Sequence, residues 1–144
     1  MIASDVLKEL NRPVETINQS RPIRDAIQQL VDKRIGSLLV EDDDSKIVGI
    51  VSERDILRES AKHSAVLDDT PVAQIMTREL ITGLPGDRIT HLLGLMTKHR
   101  VRHLPIMEGS ELRGMVSIGD LVKAQLDEAE DDREMAGFDG YEEI

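Results

Sequence analysis

The 144-residue sequence has no cysteine and no tryptophan, and its one phenylalanine and one tyrosine stand near the C-terminus, at Phe138 and Tyr141. Without cysteine there are no disulfides, no thiolate metal ligands and no thiol nucleophile. Without aromatic rings before Phe138 there is no platform for stacking the bases of a single strand. The core must be built from Leu, Ile, Val, Met and Ala, and any flat ligand sits between aliphatic side chains. No run approaches the roughly 20 apolar residues of a membrane span. The stretch from Met1 to Lys8 carries Asp5 early and lacks the apolar centre of a secretory signal. These features fit a cytoplasmic protein that does not engage a membrane. A basic excess is missing too, since the net charge is −10. From Asp127 onward nine acids face one base, Arg133, whereas the preceding residues hold 17 bases and 19 acids. The body is near neutral, with no basic stripe to displace the counterions of a nucleic acid, so nucleic acid is not an expected partner. A small anion needs only a few local cations.

What the chain does have is a repeat. A shift of 66 places Val6 on Val72, Arg12 on Arg78, Thr16 on Thr82, Ile23 on Ile89, Arg34 on Arg100 and Leu38 on Leu104. One residue drops out in a polar loop. At a shift of 65, Ser45, Gly49, Val51, Ser52 and Asp55 then fall on Ser110, Gly114, Val116, Ser117 and Asp120. Each copy reads as β-α-β-β-α. In the first, a short strand at Val14–Ile17 precedes a helix whose first turn begins at Pro22. The apolar face of that helix is Ile23, Ala26, Ile27, Leu30 and Val31. A hairpin of Ser37–Val40 and Ile47–Ser52 follows, then a helix from Glu53 to about Lys62. The second copy has a strand at Leu80–Thr82, a helix with Ile89, Leu92, Leu93 and Met96 inward, a hairpin of Val101–Ile106 and Leu112–Ser117, and a helix from Ile118 to roughly Asp132. Thr70-Pro71 opens a one-turn helix through Met76. About 60 residues make too small a core to be secure alone, so the copies are expected to pack with pseudo-twofold symmetry.

The sharpest motif is a doubled Gly-x-x-Ser-x-x-Asp, at Gly49 to Asp55 and Gly114 to Asp120. Ser-x-x-Asp at a strand-to-helix junction is a helix-capping arrangement: the hydroxyl accepts from a free helix N–H and the carboxylate favours the positive end. The same elements also suit a phosphorylated sugar. A helix start offers amides to phosphate, an Asp one turn in accepts from ribose hydroxyls, and a strand Gly marks close approach of a ligand or of backbone. Other candidates are weaker. His99 and His103 straddle a helix end and a strand start, so they do not share a helix face. His63 and His91 read as exposed, and no ligand cluster completes a metal shell. Asp42-Asp43-Asp44 lacks the Gly and terminal Glu of a calcium loop and reads as a solvated turn. Met96, Met107 and Met115 read as core filler. The acidic tail is either a solvated end or a contact arm anchored by Met135, Phe138 and Tyr141.

Taken together, the repeat, the Met76-Thr77 lead-in, Arg102-His103-Leu104-Pro105-Ile106 and the doubled motif resemble CBS motifs, the repeats named for cystathionine β-synthase. The resemblance covers about residues 5–126 and divides the chain into a first motif at 5–62, a connector at 63–70, a second motif at 71–126 and an acidic extension at 127–144. It implies an α+β module in which paired motifs form a disc with two clefts. It also implies an adenine nucleotide as regulatory ligand: AMP, ADP, ATP, NAD or NADH, with S-adenosylmethionine less favoured. By the same resemblance Asp55 and Asp120 hold ribose, Ser52 and Ser117 sit near phosphate or ribose, and Thr16 and Thr82 face the base. At the phosphate-facing strand position stand Arg102 and His103, followed by Pro105, in the second copy, and Gly36 and Ser37 in the first. A guanidinium forks onto phosphate, so the Asp120 cleft is expected to be the stronger site; the Asp55 cleft needs Arg54 or a residue of the other copy for its charge, or else admits part of a dinucleotide or stays empty. A homodimer and a separate client protein are expected partners. The alternative is an empty-cleft scaffold for protein interaction. No nucleophile with a positioned base is evident, so no enzyme activity is expected.

Overall fold

The computed structural model describes residues 1–62 and 67–135. Among them the fold is α+β, with helices α1 (Ala3–Leu10), α2 (Ile23–Lys33), α3 (Glu53–Lys62), α4 (Ile89–His99) and α5 (Ile118–Met135). The strands are β1 (Thr16–Asn18), β2 (Ser37–Glu41), β3 (Ile47–Ser52), β4 (His103–Glu108) and β5 (Glu111–Ser117), and a one-turn 3-10 helix spans Val72–Gln74. Two compact units result: Pro13–Leu80, and residues 1–12 together with the chain from Ile81 onward. His63, Phe138, Tyr141 and the side chain of Met135 lie outside the described residues.

In the Pro13–Leu80 unit, β1 runs parallel to β2, and β2 pairs antiparallel with β3. Ile17, Ala26, Leu30, Leu38, Val40, Val51, Val72 and Met76 form its core. The chain after the connector belongs here. Val72 and Ala73 donate to the carbonyls of Arg21 and Gln19, and Thr77 exchanges hydrogen bonds with Ile50 at 2.9 and 2.8 Å. In the other unit β4 and β5 form a hairpin, covered by α4, α5 and α1. Its core is Ala3, Val6, Ile89, Leu92, Met96, Leu104, Ile106, Val116, Leu121 and Ala124.

The repeat holds at the level of single hydrogen bonds. Ser37 stands opposite Ser52 as His103 stands opposite Ser117. The sheets bulge at Val40/Glu41 and at Ile106/Met107, which are equivalent positions. Helices α2 and α4 both end on an arginine in the left-handed region, Arg34 and Arg100, each at φ 55°. The first amide of α3 donates to Gly36 O at 3.0 Å, and that of α5 to Arg102 O at 2.9 Å.

Three expectations need correction. The strand anticipated at Leu80–Thr82 is reduced to one parallel bridge, Gly83 with Ile106. In the first copy the β1–β2 ladder is flanked by Leu39 N donating to Glu15 O and Gln19 N donating to Glu41 O. Pro105 and Pro85 stand at the positions of Leu39 and Gln19 and have no N–H, so both flanking bonds are lost. The apolar stripe of α2 is also wider than the core it serves. Ile23, Ala26 and Leu30 are buried, while Ile27 and Val31 remain 37% and 65% exposed. Pro22 precedes the first turn, as the N-cap, rather than lying within it.

Helix α1 was not anticipated. Ala3, Val6, Leu7 and Leu10 are spaced along one helical face, Asp5 accepts from the Ile2 amide at 3.0 Å, and Asn11 ends the helix at φ 41°.

Candidate functional site

Each Gly-x-x-Ser-x-x-Asp segment turns a strand directly into a helix, which brings the Ser and Asp side chains onto the first helical turn. Both form a reciprocal capping box. Asp55 N donates to Ser52 Oγ at 3.2 Å while Ser52 N donates to Asp55 Oδ2 at 2.9 Å. Asp120 N donates to Ser117 Oγ at 3.1 Å while Ser117 N donates to Asp120 Oδ2 at 2.7 Å. Capping therefore accounts for the serines and for one oxygen of each carboxylate. The other oxygen, Oδ1, is not used by the cap in either copy.

The environments of the two Oδ1 atoms differ. Around Asp55, which is buried, Thr77 Oγ1 lies at 3.4 Å and Arg58 Nη1 at 3.7 Å. Around Asp120 the guanidinium of Arg12 makes a fork, with Nη1 at 3.3 Å from Oδ1 and Nη2 at 2.6 Å from Oδ2. Nη2 also reaches Met115 O at 3.4 Å. Burial alone pushes the Asp120 carboxyl up. The hydrogen bonds from Arg12, the Ser117 amide and the Ser117 hydroxyl, with the Arg12 charge, outweigh it and hold the group below the usual carboxylate range.

The glycines of the motif make room for the protein's own chain. A Cβ on Gly49 would lie 2.8 Å from Met76 Sδ and 2.9 Å from Thr77 O, and one on Gly114 would lie 2.6 Å from Leu7 Cδ2. Close approach is real at both positions, and packing of this chain explains it without a ligand.

The remaining candidates divide between the units. In Asp55's unit, Thr16 lies in β1 with its carbonyl accepting from Gln29 Nε2 at 3.0 Å. Ser37 is buried opposite Ser52, Gly36 accepts the first amide of α3, and Arg54 is exposed on α3. In Asp120's unit, His103 opens β4 opposite Ser117 and Pro105 is buried opposite Met115. Arg102 is exposed at the mouth of the hairpin, its carbonyl held by Ile118 N. Thr82 is exposed, just before the Gly83 bridge. His99 ends α4 and His103 starts β4, as expected from their spacing. Sequence reasoning missed Arg12, Thr77 and Arg58 as neighbours of the carboxylates. The signal for Arg12 was its alignment with Arg78 in the repeat.

Two cavities flank these elements. One of about 630 Å³ lies between α2 and α3, lined by Ile27, Val31, Arg34, Gly36, Ile56 and Leu57 among others. It reaches Gly36 but not Ser52 or Asp55. The other, about 100 Å³, touches Asp120, Gly119, Lys123 and Leu10. Among the described residues no three His, Cys, Asp or Glu side chains are grouped to hold a metal ion, and no helix is long and apolar enough to cross a membrane.

Comparison with known proteins gives a consistent picture. A family model described as "CBS domain" matches residues 3–62 and 72–127. The chain is 36% identical over 110 residues to a mitochondrial CBS domain-containing protein of Arabidopsis thaliana, covering 74% of this chain and 53% of that protein. It thus spans about half the length of that relative, and 32% of a Thermofilum pendens protein that it also matches. A CBS-domain containing protein from Agrobacterium tumefaciens superimposes with a TM-score of 0.84 at 32% identity, over 87% of this chain and 99% of that one. A CBS domain protein from Pyrobaculum aerophilum, solved in complex with AMP, gives a TM-score of 0.74 at 32% identity, over 83% and 89% of the two chains.

Proposed function

This chain belongs to the CBS domain family, and from that premise we propose that it is a cytoplasmic regulatory module that binds an adenine nucleotide without transforming it. The observation that carries the proposal is the pair of capped corners. In each, the helix cap fixes the carboxylate while leaving Oδ1 outside the cap. A fixed carboxylate oxygen at a strand-to-helix turn suits a ribose hydroxyl, because the acceptor is pre-oriented and needs no ordering on binding. The AMP complex of the Pyrobaculum aerophilum relative supports an adenosine 5′-phosphate as the ligand class. ADP, ATP and NAD or NADH share that moiety. S-adenosylmethionine lacks the phosphate and is less favoured.

Roles follow for this chain's residues. Asp55 and Asp120 accept from ribose, Ser52 and Ser117 stand beside the sugar or phosphate, and Arg102 and His103 are the phosphate-side groups in one copy. In the other copy Arg54, exposed on α3, is the cation for phosphate, since Arg58 already faces Asp55 Oδ1 at 3.7 Å, and Gly36 and Ser37 leave space there. Thr16 and Thr82 line the base side, and Pro105 adds apolar surface. Output passes to a client through a change in the populations of two shapes, which a ligand drives only by its difference in affinity for them. A homodimer is supported by the apolar side chains left in solvent, including Val31, Leu57 and Leu126 at 65, 68 and 62% exposure.

A melting-temperature panel with AMP, ADP, ATP, NAD, NADH and S-adenosylmethionine tests the proposal. At a concentration about 100 times the dissociation constant, a bound ligand adds roughly 2.7 kcal/mol, which raises the melting point of a chain this size by several degrees. The phosphorylated adenosines should shift it. No shift with any of them favours the alternative, a scaffold with empty sites. Conversion of a ligand to product would make the protein an enzyme instead.

A further inference from the structure

Arg12 and Arg78 occupy equivalent positions of the repeat, yet only one of them reaches a corner carboxylate. Arg12 forks onto both oxygens of Asp120 and touches Met115 O. Arg78 instead donates through Nη2 to Ala73 O at 3.1 Å. The Asp55 Oδ1 keeps only the longer contacts from Thr77 and Arg58.

The cause of the difference is local. Helix α1 is fixed by burial of Ala3 and Val6 and by Leu7 against Gly114. The left-handed residue Asn11 then turns the chain, so Arg12 leaves a rigid base beside the start of α5. Its side chain is 48% exposed while that of Asp120 is 14% exposed, so the guanidinium is free to swing outward and the carboxylate is not.

Building on the reading of Asp120 as a ribose acceptor, we propose that Arg12 is the specificity-determining residue of this corner. It is a resident cation that ribose must displace, and only a ligand with its own phosphate can pair it again. The chemistry is an exchange of hydrogen-bond partners. A ribose hydroxyl arriving at Asp120 replaces a bidentate pair of opposite charges with a single hydrogen bond from an uncharged donor, which is the weaker of the two. A nucleoside leaves the freed guanidinium to water. A nucleotide phosphate on the same molecule accepts the guanidinium fork and restores a charge-assisted pair. The corner thereby selects phosphorylated ribose through a side chain outside the Gly-x-x-Ser-x-x-Asp motif. At Asp55 the facing cation, Arg58, stands at 3.7 Å from Oδ1 and makes no fork, so less is displaced there.

The test is a titration of the full chain with AMP and with adenosine, followed by NMR through the amides of Gly119 and Asp120, for wild type, Arg12→Ala and Arg12→Lys. Wild type should prefer AMP by at least about tenfold, the scale of one charge-assisted hydrogen bond. Arg12→Ala should shrink the preference several-fold by strengthening adenosine, leaving the part that Arg102 and His103 supply, and Arg12→Lys, which keeps a cation, should retain most of the wild-type preference. If wild type binds AMP but the preference survives Arg12→Ala undiminished, or both ligands tighten equally, the role of Arg12 is wrong and the nucleotide proposal stands. If Arg12→Ala does not fold, loss of the preference in Arg12→Lys to the level of no discrimination overturns the role of the charge. If neither ligand moves these amides in any variant, both proposals fall.

Discussion

Replacing Gly49 or Gly114 with alanine adds one methyl group at equivalent strand positions, but the atoms that meet it differ. At Gly49 the new Cβ lies 2.9 Å from the Thr77 carbonyl oxygen and 2.8 Å from Met76 Sδ. That carbonyl accepts from Ile50 N, and Thr77 N donates back to Ile50 O. It cannot retreat without breaking the bridge that ties Met76–Thr77 to β3. At Gly114 the close atoms, at 2.6, 3.0 and 3.3 Å, all belong to the Leu7 side chain. A distorted Leu7 rotamer costs about 0.5–1.5 kcal/mol, and alanine returns about 0.5–1 kcal/mol by restricting the unfolded backbone. Gly114→Ala should therefore fall between a gain of about 0.5 and a cost of about 1 kcal/mol. Gly49→Ala should cost about 2–3 kcal/mol, the upper part of the range for overpacking. Urea unfolding followed by circular dichroism measures both. Adding Leu7→Ala should turn Gly114→Ala into a gain of about 0.5–1 kcal/mol and leave the cost of Gly49→Ala unchanged, because the pairs are independent. Equal costs at the two glycines, or a Gly114→Ala cost indifferent to Leu7, would refute the packing argument.

Other outcomes follow from the same structure. The Asp120 carboxyl is held below its ordinary value in the folded state, so its pairing contributes stability that is complete above the unfolded value of about 3.9 and is lost as pH falls toward the folded one. The difference in urea midpoint between wild type and Arg12→Ala should be constant above about pH 5 and shrink below about pH 4; a difference independent of pH down to acid unfolding would contradict the ion pair. Leu38 and Leu104 are equivalent and fully buried, so each Leu→Ala change should cost about 2–5 kcal/mol in urea unfolding, and a loss below about 1 kcal/mol at either would show that its core collapses around the gap. On the proposal of a homodimer joined through the exposed apolar side chains, wild type should sediment as a dimer and Leu57→Glu, at an exposed position, should leave the fold intact and give a monomer in sedimentation equilibrium. A dimer that survives it places the interface elsewhere.

Much of this fold is legible in the sequence because the informative signals are local. Short apolar runs around polar turns mark both hairpins, and Ser-x-x-Asp marks where β3 and β5 become α3 and α5. The repeat offset pairs bulges, caps and register that the structure then shares. What is not legible depends on long-range partners. The spacing of Ala3, Val6, Leu7 and Leu10 was sufficient to suggest α1, but nothing local says that the helix packs on β5 and α5, more than 100 residues away. Residues 72–77 pack into the first copy's unit, with Thr77 bridging β3, for the same non-local reason. The missing strand before Gly83 was readable in principle, since Pro85 and Pro105 remove its flanking donors, but only after register was known. At the site, the motif located both carboxylates. The fork from Arg12 rests on where α1 docks, and so did not show in the motif itself.

The most direct measurement is a crystal structure of the protein grown with saturating AMP. The account predicts ribose hydroxyls within hydrogen-bond distance of Oδ1 of Asp55 or Asp120, with the capping boxes at Ser52 and Ser117 intact. AMP lodged instead in the cavity between α2 and α3, or both corners unchanged with no AMP beside them, would contradict it.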